Sequence, residues 1–374
     1  MNIAQRPFRA DHVGSLLRPR HLLEARAQVK RGEISAERFQ EIEDKAVDEV
    51  IDLQQQLGLK AVTDGEVRRG SWHMDFLYEI GGVEKASSDL VVHFHNAGGD
   101  IDFTPSALAV TGKLHLRQTV FARAFEYLRQ RAAVGTPKLT IPSPSMMHYR
   151  GGRKAVSTAA YPAMDAFYAD LSRVYAEEIA ALGALGCTYL QLDDTSLAYL
   201  NDPEQRRMIG AEGVDPETQH HAYIRLINDA VKAKPAGMAI TTHLCRGNFR
   251  SSWVASGSYD HVADALFNQL DVDGYFLEFD DERSGGFEPL RLLPKGHKRV
   301  VLGLVTTKRG ELESRDEILR RIDAAARFAP LDQLCLSPQC GFSSTHEGND
   351  LTLDQQKAKL ELVVSIAQEV WGDA

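Results

Sequence analysis

Short apolar runs recur along the chain, each closing on polar or small residues and most followed by a helical stretch. They fall at 10–16 (ADHVGSL), 61–66 (AVTDGE), 138–144 (KLTIPSP), 189–194 (YLQLDD), 238–245 (MAITTHLC), 274–280 (GYFLEFD), 299–305 (RVVLGLV) and 333–339 (QLCLSPQ). A 3.6-residue apolar period marks 36–57, 161–185, 315–328 and 353–370 as helices. Strands separated by helices predict a parallel sheet joined by right-handed crossovers. Eight such runs within 374 residues predict an α/β fold, a single (β/α)8 TIM barrel spanning 1–374. A doubly wound open sheet is the competitor. The barrel is favoured because chemically capable residues close nearly every run: Ser15, Glu66, Ser143, Asp193, His243, Glu278, Thr306 and Cys340. A barrel brings such ends to one mouth, whereas an open sheet keeps its outer ends apart.

Two stretches break the pattern. Residues 90–117 alternate and contain Gly-Gly-Asp, which predicts a β-hairpin insertion, at about 84–118, between the second and third barrel strands. Residues 201–216 carry Asp-Pro and glycine punctuation, which predicts a loop with a short helix over the mouth.

Hydrophobic residues make up 43% of the chain and charged residues 25%, so a substantial core is expected. The formal net charge is −9, and no basic stripe interleaves with aromatics, which argues against a nucleic-acid partner. No apolar run reaches the ~18 residues of a membrane span, and the N-terminus lacks an apolar core of signal-peptide length. A cytoplasmic location is the expectation. Four cysteines, Cys187, Cys245, Cys335 and Cys340, are too few for a disulfide framework at this length. Cys187 and Cys335 sit in apolar contexts and read as structural.

The sharpest chemical signal is Thr242-His243-Leu244-Cys245. Alternation along an extended segment puts His243 and Cys245 on one side, within reach of one metal ion. Cys340 closes the last run and Glu278 the sixth, and in a barrel these ends face a common point. Two thiolates, an imidazole and a carboxylate suit tetrahedral zinc, and thiolates argue against magnesium or calcium. Three negative ligands around a divalent ion leave the site anionic and poorly suited to hydrolysis. Such a site suits activation of a substrate thiol, since a coordinated thiol is deprotonated where a free one has a pKa of about 8.5. A core cysteine beside a satisfied histidine is the other reading of His-x-Cys, and Asp280 and Asp281 stand close enough to replace Glu278.

At these residues the sequence resembles the catalytic barrel of cobalamin-independent methionine synthase. It looks most like the short single-barrel methyltetrahydropteroyltriglutamate–homocysteine methyltransferase-like proteins, over nearly the whole chain. The resemblance implies zinc on His243, Cys245, Glu278 and Cys340, in that order. It further implies that Val13-Gly14-Ser15 holds an amino-acid carboxylate, and that Glu66 of Asp64-Gly65-Glu66 and Asp193 of Gln191-Leu192-Asp193-Asp194 hold its amine. Read on its own chemistry, Glu66 is equally a salt-bridge partner of Arg68 or Arg69.

The departures bear on the methyl donor. The family's strand-seven histidine, a proton donor, is replaced within Val305-Thr306-Thr307-Lys308. The acid after strand four gives way to Tyr199 or its neighbours, and the strand-three segment 141–148 has no Trp. Candidate replacement acids are His73 and His12, with His148 and His346 nearby in sequence to other strand ends. Residues 72–76 (WHMDF) are expected to form a pocket wall, and Arg18 to pair with a substrate anion or a surface acid.

The expected activity is therefore a zinc-dependent thiol S-methyltransferase acting on homocysteine or a related amino-thiol. Its partners would be that small thiol and a folate or other methyl donor, with no nucleic acid and no membrane; a second copy of the chain is a candidate partner. Two alternatives stand beside it: a thiol alkyltransferase resembling epoxyalkane:coenzyme M transferase, and a non-catalytic zinc- or ligand-binding barrel. The acids Glu66 and Asp193 argue against a sulfonate thiol.

Overall fold

The computed structural model describes residues 6–87, 91–96, 99–211 and 213–374. The start of the predicted 90–117 segment, its Ala97-Gly98 pair and Glu212 of the predicted 201–216 loop lie outside the described residues. Six parallel strands form one sheet in chain order: β1 (Leu139–Pro142), β2 (Tyr189–Asp194), β3 (Ala239–Leu244), β4 (Gly274–Glu278), β5 (Arg299–Val305) and β6 (Leu334–Pro338). All their residues are buried except half-buried Arg299. A parallel sheet covered on both faces needs apolar side chains on both, which is why these strands read as unbroken apolar runs.

Helices Met164–Ala184, Gln219–Val231, Arg315–Ala325 and Leu353–Trp371 lie between or after these strands. The last begins with a reciprocal capping box, Thr352 with Gln355, and ends at Gly372 in the left-handed conformation (φ 69°). Helix Ala36–Gln56 is capped by the Ser35 hydroxyl, which accepts from Arg38 N. The predicted helix near the mouth is Pro203–Ala211.

Beyond β1, the two-residue strand Ala61–Val62 runs parallel to Thr136–Pro137, and Lys138 N donates to Val62 O at 2.8 Å. At the opposite edge, Leu336 N of β6 donates to Arg9 O (2.8 Å) and Asp11 N to Leu336 O (3.0 Å). The segment leaving Asp11 then reaches Gly65, whose carbonyl accepts from Leu16 N at 2.9 Å. Both edges of the six-stranded sheet are thus covered, which removes exposed pairing sites.

Residues 10–16 differ from the predicted strand, since only Ala10 makes a bridge. The cause is a buried polar cluster. The Asp11 carboxylate accepts from Phe8 N, His12 N, Tyr189 OH and Lys138 Nζ, and the Asp11 and Lys138 side chains are both 0% exposed. Local side-chain bonds of this kind displace ladder bonds. Between Val62 and Thr136, Ile80–Ala86 pairs antiparallel with Ala107–Leu116, and Val92–Asn96 with Gly99–Phe103. The inner pair docks back on the sheet's C-terminal side: His95 and Trp253 exchange backbone hydrogen bonds (2.7 and 2.9 Å), and Phe103 lies 4.4 Å from Phe249 ring to ring.

Candidate metal centre and adjoining cavity

The end of β3 carries His243, with Cys245 one residue beyond it. Pairing of Leu277 with Leu244 sets Glu278, the last residue of β4, level with Cys245 on the neighbouring strand. Cys340 comes from two residues beyond β6, across β5. That approach depends on Gly303 of β5, where a Cβ would stand 2.6 Å from Gln339 Cα and 2.9 Å from Leu277 O. Thr307 then fastens the turn on both sides of Cys340: its N–H donates to Gln339 Oε1 (2.7 Å), and its hydroxyl lies 3.1 Å from Gly341 O.

The ligand atoms of His243, Cys245, Glu278 and Cys340 all lie within 4.8 Å of one another, and all four residues are buried. The two sulfurs are 3.4 Å apart. Glu278 Oε1 accepts from Arg246 N at 3.0 Å, and Gly247 N donates to Cys245 Sγ at 3.3 Å. Among the described residues, Glu278 Oε2 and both ring nitrogens of His243 complete no hydrogen bond. Buried polar atoms are rarely left so. Together with the S, S, N, O donor set, these orphaned atoms fit a tetrahedral cation of zinc's preferences. The neighbouring sulfur and burial push Cys245 up, while Cys245 and the His243 imidazole hold Cys340 well below the ordinary thiol range.

Asp280 and Asp281 stand outside this group. Asp281 caps the turn at Glu282–Ser284 and pairs with Arg283 Nε at 2.6 Å; Asp280 lies 3.7 Å from Arg283.

A cavity of about 80 Å³ opens on the centre, and Ser15, Glu66, Asp193, His243, Cys245 and Cys340 all line it. Glu278 does not; it approaches the ligand group from behind. Glu66 reaches the cavity because Gly65 and Glu66 both turn left-handed (φ 64° and 55°) just past Ala61–Val62. For a non-glycine residue this conformation is uncommon. It is held by Asp64 Oδ1, which accepts from Glu66 N (2.9 Å), and by the Thr140 hydroxyl donating to Glu66 Oε1 (2.7 Å). Arg69, not Arg68, is the nearby cation, at 3.6 Å. Burial, and next the charge of Glu66, raise Asp193 to about 7. Ser15 is anchored on the Cys340 side, its carbonyl accepting from Phe342 N and its hydroxyl from Ser343 N.

The candidate acids separate. His73 lines the cavity, ring-stacked on Trp72 at 4.4 Å, with Nδ1 3.2 Å from Ser71 Oγ. Burial and the Arg150 charge lower it to about 3, so it is neutral at physiological pH. His12 does not line the cavity: its Nε2 faces Ala61 O at 3.3 Å, and burial beside Lys138 lowers it to about 4. The Asp11–Lys138 cluster turns this segment inward, away from the mouth. His148 is packed on Tyr223 OH (2.9 Å), and His346 is exposed beside Glu347. Of residues 72–76, Trp72 and His73 face the cavity, while Met74 and Phe76 join the core. Arg18 takes neither expected role: it is buried and donates to the carbonyls of Glu66, Arg69 and Ser343.

Sequence reasoning missed Phe94, Phe103 and Phe249, which wall the cavity, and Arg150 at its edge. The alternation of 92–96 was a signal for a strand, not for its destination. Arg150 and Tyr199 also border a larger adjoining cavity of about 630 Å³.

A parallel α/β sheet whose C-terminal end carries a candidate metal centre of two cysteines, a histidine and a glutamate defines the class of protein. The chain belongs to the family described as the catalytic domain of cobalamin-independent synthase, whose profile matches residues 146–369. It is 46% identical to the uncharacterized protein YxjH of Bacillus subtilis over 98% of this chain and 95% of that one. It is 38% identical, with a TM-score of 0.77 and 98% of both chains covered, to a Listeria monocytogenes protein provisionally assigned as a vitamin-B12-independent methionine synthase. A Shewanella B12-independent methionine synthase, solved with selenomethionine, shares the fold at 17% identity, with a TM-score of 0.69 and 97% of both chains covered. No helix among the described residues is long and apolar enough to cross a membrane.

Proposed function

We propose that this chain is a zinc-dependent S-methyltransferase of the methionine synthase type, acting on homocysteine or a related amino-thiol. One observation carries the reading: Glu66, Asp193 and Ser15 face the same small cavity as three of the four candidate ligands. Zinc there would supply thiol activation, because a coordinating thiol is deprotonated at neutral pH.

The chain's own residues do the rest. Glu66 and Asp193 form an anionic wall that binds an ammonium group, and Ser15 offers a hydroxyl to a carboxylate. An amino-thiol fixed at both ends directs its sulfur toward His243, Cys245 and Cys340. Phe94, Phe103 and Phe249 exclude water from that sulfur, and a methyl donor would approach from the larger cavity beyond Arg150 and Tyr199. Holding the two reactants in line supplies much of the rate. Neutral His73 is the candidate hydrogen-bond donor on the donor's side; His12 is not carried forward. The hydrogen-bonded circuit from residues 9–16 through Ala61–Val62 and β1–β6 is read as one (β/α)8 barrel domain, with the antiparallel pairs as its insertion.

Zinc-edge X-ray absorption on purified protein, with and without homocysteine, tests the reading. A metal with two sulfur neighbours should gain a third. A metal-free protein, or a sulfur count unmoved by homocysteine, would overturn it.

A further inference from the structure

Lys308 stands three residues beyond β5, and its Nζ is buried without a hydrogen-bond partner among the described residues. An ammonium in that condition is rare in a folded protein, since burying an unpaired charge is strongly unfavourable. The lysine does not line the cavity, so its charge is not directed at a substrate from the front. Its field falls on Glu278, Asp280, Cys245 and Cys340, favouring the ionised form of each.

Glu278 Oε2 completes no hydrogen bond either, whereas Asp280 Oδ1 has Arg283 at 3.7 Å. The other cations acting on Glu278 are already engaged. Arg246 donates to Tyr259 OH (2.7 Å) and Gly257 O (2.8 Å), and Arg283 pairs with Asp281 at 2.6 Å. Arg246 Nε and Arg283 Nη1 are also without partners, but among the described residues Lys308 alone of the three makes no hydrogen bond at all through its charged head. It is also held in place. Lys308 N donates to Thr306 Oγ1 (3.3 Å), and Thr307 is bonded to the residues on either side of Cys340.

We propose that Lys308 is a positioning residue, the cation that receives the Glu278 carboxylate when an acceptor thiol takes its place in the ligand group. This inference rests on the functional reading above, in which Glu278 is the ligand that yields. A carboxylate leaving the group toward the protein interior would otherwise be a buried anion without a partner, a strongly unfavourable state. Opposite Lys308 it becomes one half of a charge-assisted hydrogen bond. Glu278 is suited to the movement because only one of its oxygens is tied, to Arg246 N, and because it sits behind the group rather than on the cavity wall. Asp280 has its own cation, Arg283, at 3.7 Å.

The test compares zinc-loaded wild type, Lys308→Met and Lys308→Arg. Lys308→Met deletes the charge and keeps the volume, and replacing an unpaired buried ammonium with an apolar chain should leave the fold intact. Zinc content, the sulfur count by X-ray absorption and the homocysteine Kd by calorimetry are read on each. Lys308→Met should keep its zinc and its two sulfurs, bind homocysteine about tenfold or more weakly, and gain no third sulfur at concentrations that saturate wild type. Lys308→Arg should recover the third sulfur. Equal Kd and an equal gain of sulfur in wild type and Lys308→Met would overturn the role of Lys308 and leave the functional reading standing. Loss of zinc or of thermal stability in both variants alike would also overturn it, showing a structural lysine. A wild type that never gains a third sulfur overturns the functional reading, and this inference with it.

Discussion

Asp193 is held at about 7 by its burial and by the charge of Glu66, which lines the same cavity. Burial and a neighbouring carboxylate both disfavour the charged form of Asp193, even with Arg69 standing 3.6 Å from Glu66. In the proposed function a bound ammonium would offset that cost at Asp193 and so favour an amine-bearing ligand.

That relationship has a pH signature. Amino-thiol affinity in wild type, relative to Asp193→Asn, should rise as pH increases through about 7, because the ammonium selects the ionised carboxyl. Stability should move the other way. The folded-state pKa lies above the unfolded one, so folding favours the protonated form and this group's contribution is lost as pH rises from roughly 4 toward 7. Asp193→Asn should therefore melt higher than wild type at pH 8 while binding homocysteine some 30-fold more weakly, about 2 kcal/mol for truncating one member of a buried charge pair. Calorimetry and thermal melts across the pH range would check both; a flat difference in affinity would remove Asp193 from amine binding.

Cys245→Ser and Cys340→Ser should each lose zinc while keeping the far-ultraviolet circular dichroism of the parent. The loss should exceed the ~10–100-fold in affinity that removal of an outer partner causes. Full metal retention in both would refute the ligand assignment.

Phe103 packs on Phe249 at 4.4 Å and walls the cavity. Phe103→Ala should raise the KM for homocysteine, whose cavity it walls, and leave the KM for the methyl donor near its parent value. Steady-state kinetics with each substrate varied in turn would show it, and a change confined to the methyl donor would place the phenylalanine wall on the wrong substrate.

The Asp11–Lys138 pair, 3.0 Å apart and 0% exposed on both sides, closes the other end of the sheet. Lys138→Met should cost about 3–5 kcal/mol, because it strands a buried carboxylate. Adding Asp11→Leu should recover part of that loss. Urea unfolding of the single and double variants would measure the coupling.

The strands β2 to β6 were legible because both faces of each are buried, leaving unbroken apolar runs that no polar demand interrupts. The first two runs were less so. Asp11 draws the backbone around residues 10–12 into side-chain hydrogen bonds, and Gly65 and Glu66 curl the second strand after two residues. Alternation and strand ends made His243, Cys245 and Cys340 candidates, since short parallel strands deliver their last residues to one level, whereas the full set with Glu278 came with the family resemblance. His12 could not, because the direction of a side chain near a buried ion pair depends on that pair. Lys308 was visible only as the absence of a histidine, and its freedom from partners is a property of packing.

Strand β6 completes its pairing only against residues 9–11, near the opposite end of the sequence. On a ribosome the early segment must therefore wait, unpaired on that side, until 334–338 emerges. Cys340 arrives with the same stretch of chain. Sealing of the sheet and completion of the candidate ligand group are thus one event in the life of the nascent protein, so no ion can meet all four residues before the sheet has closed.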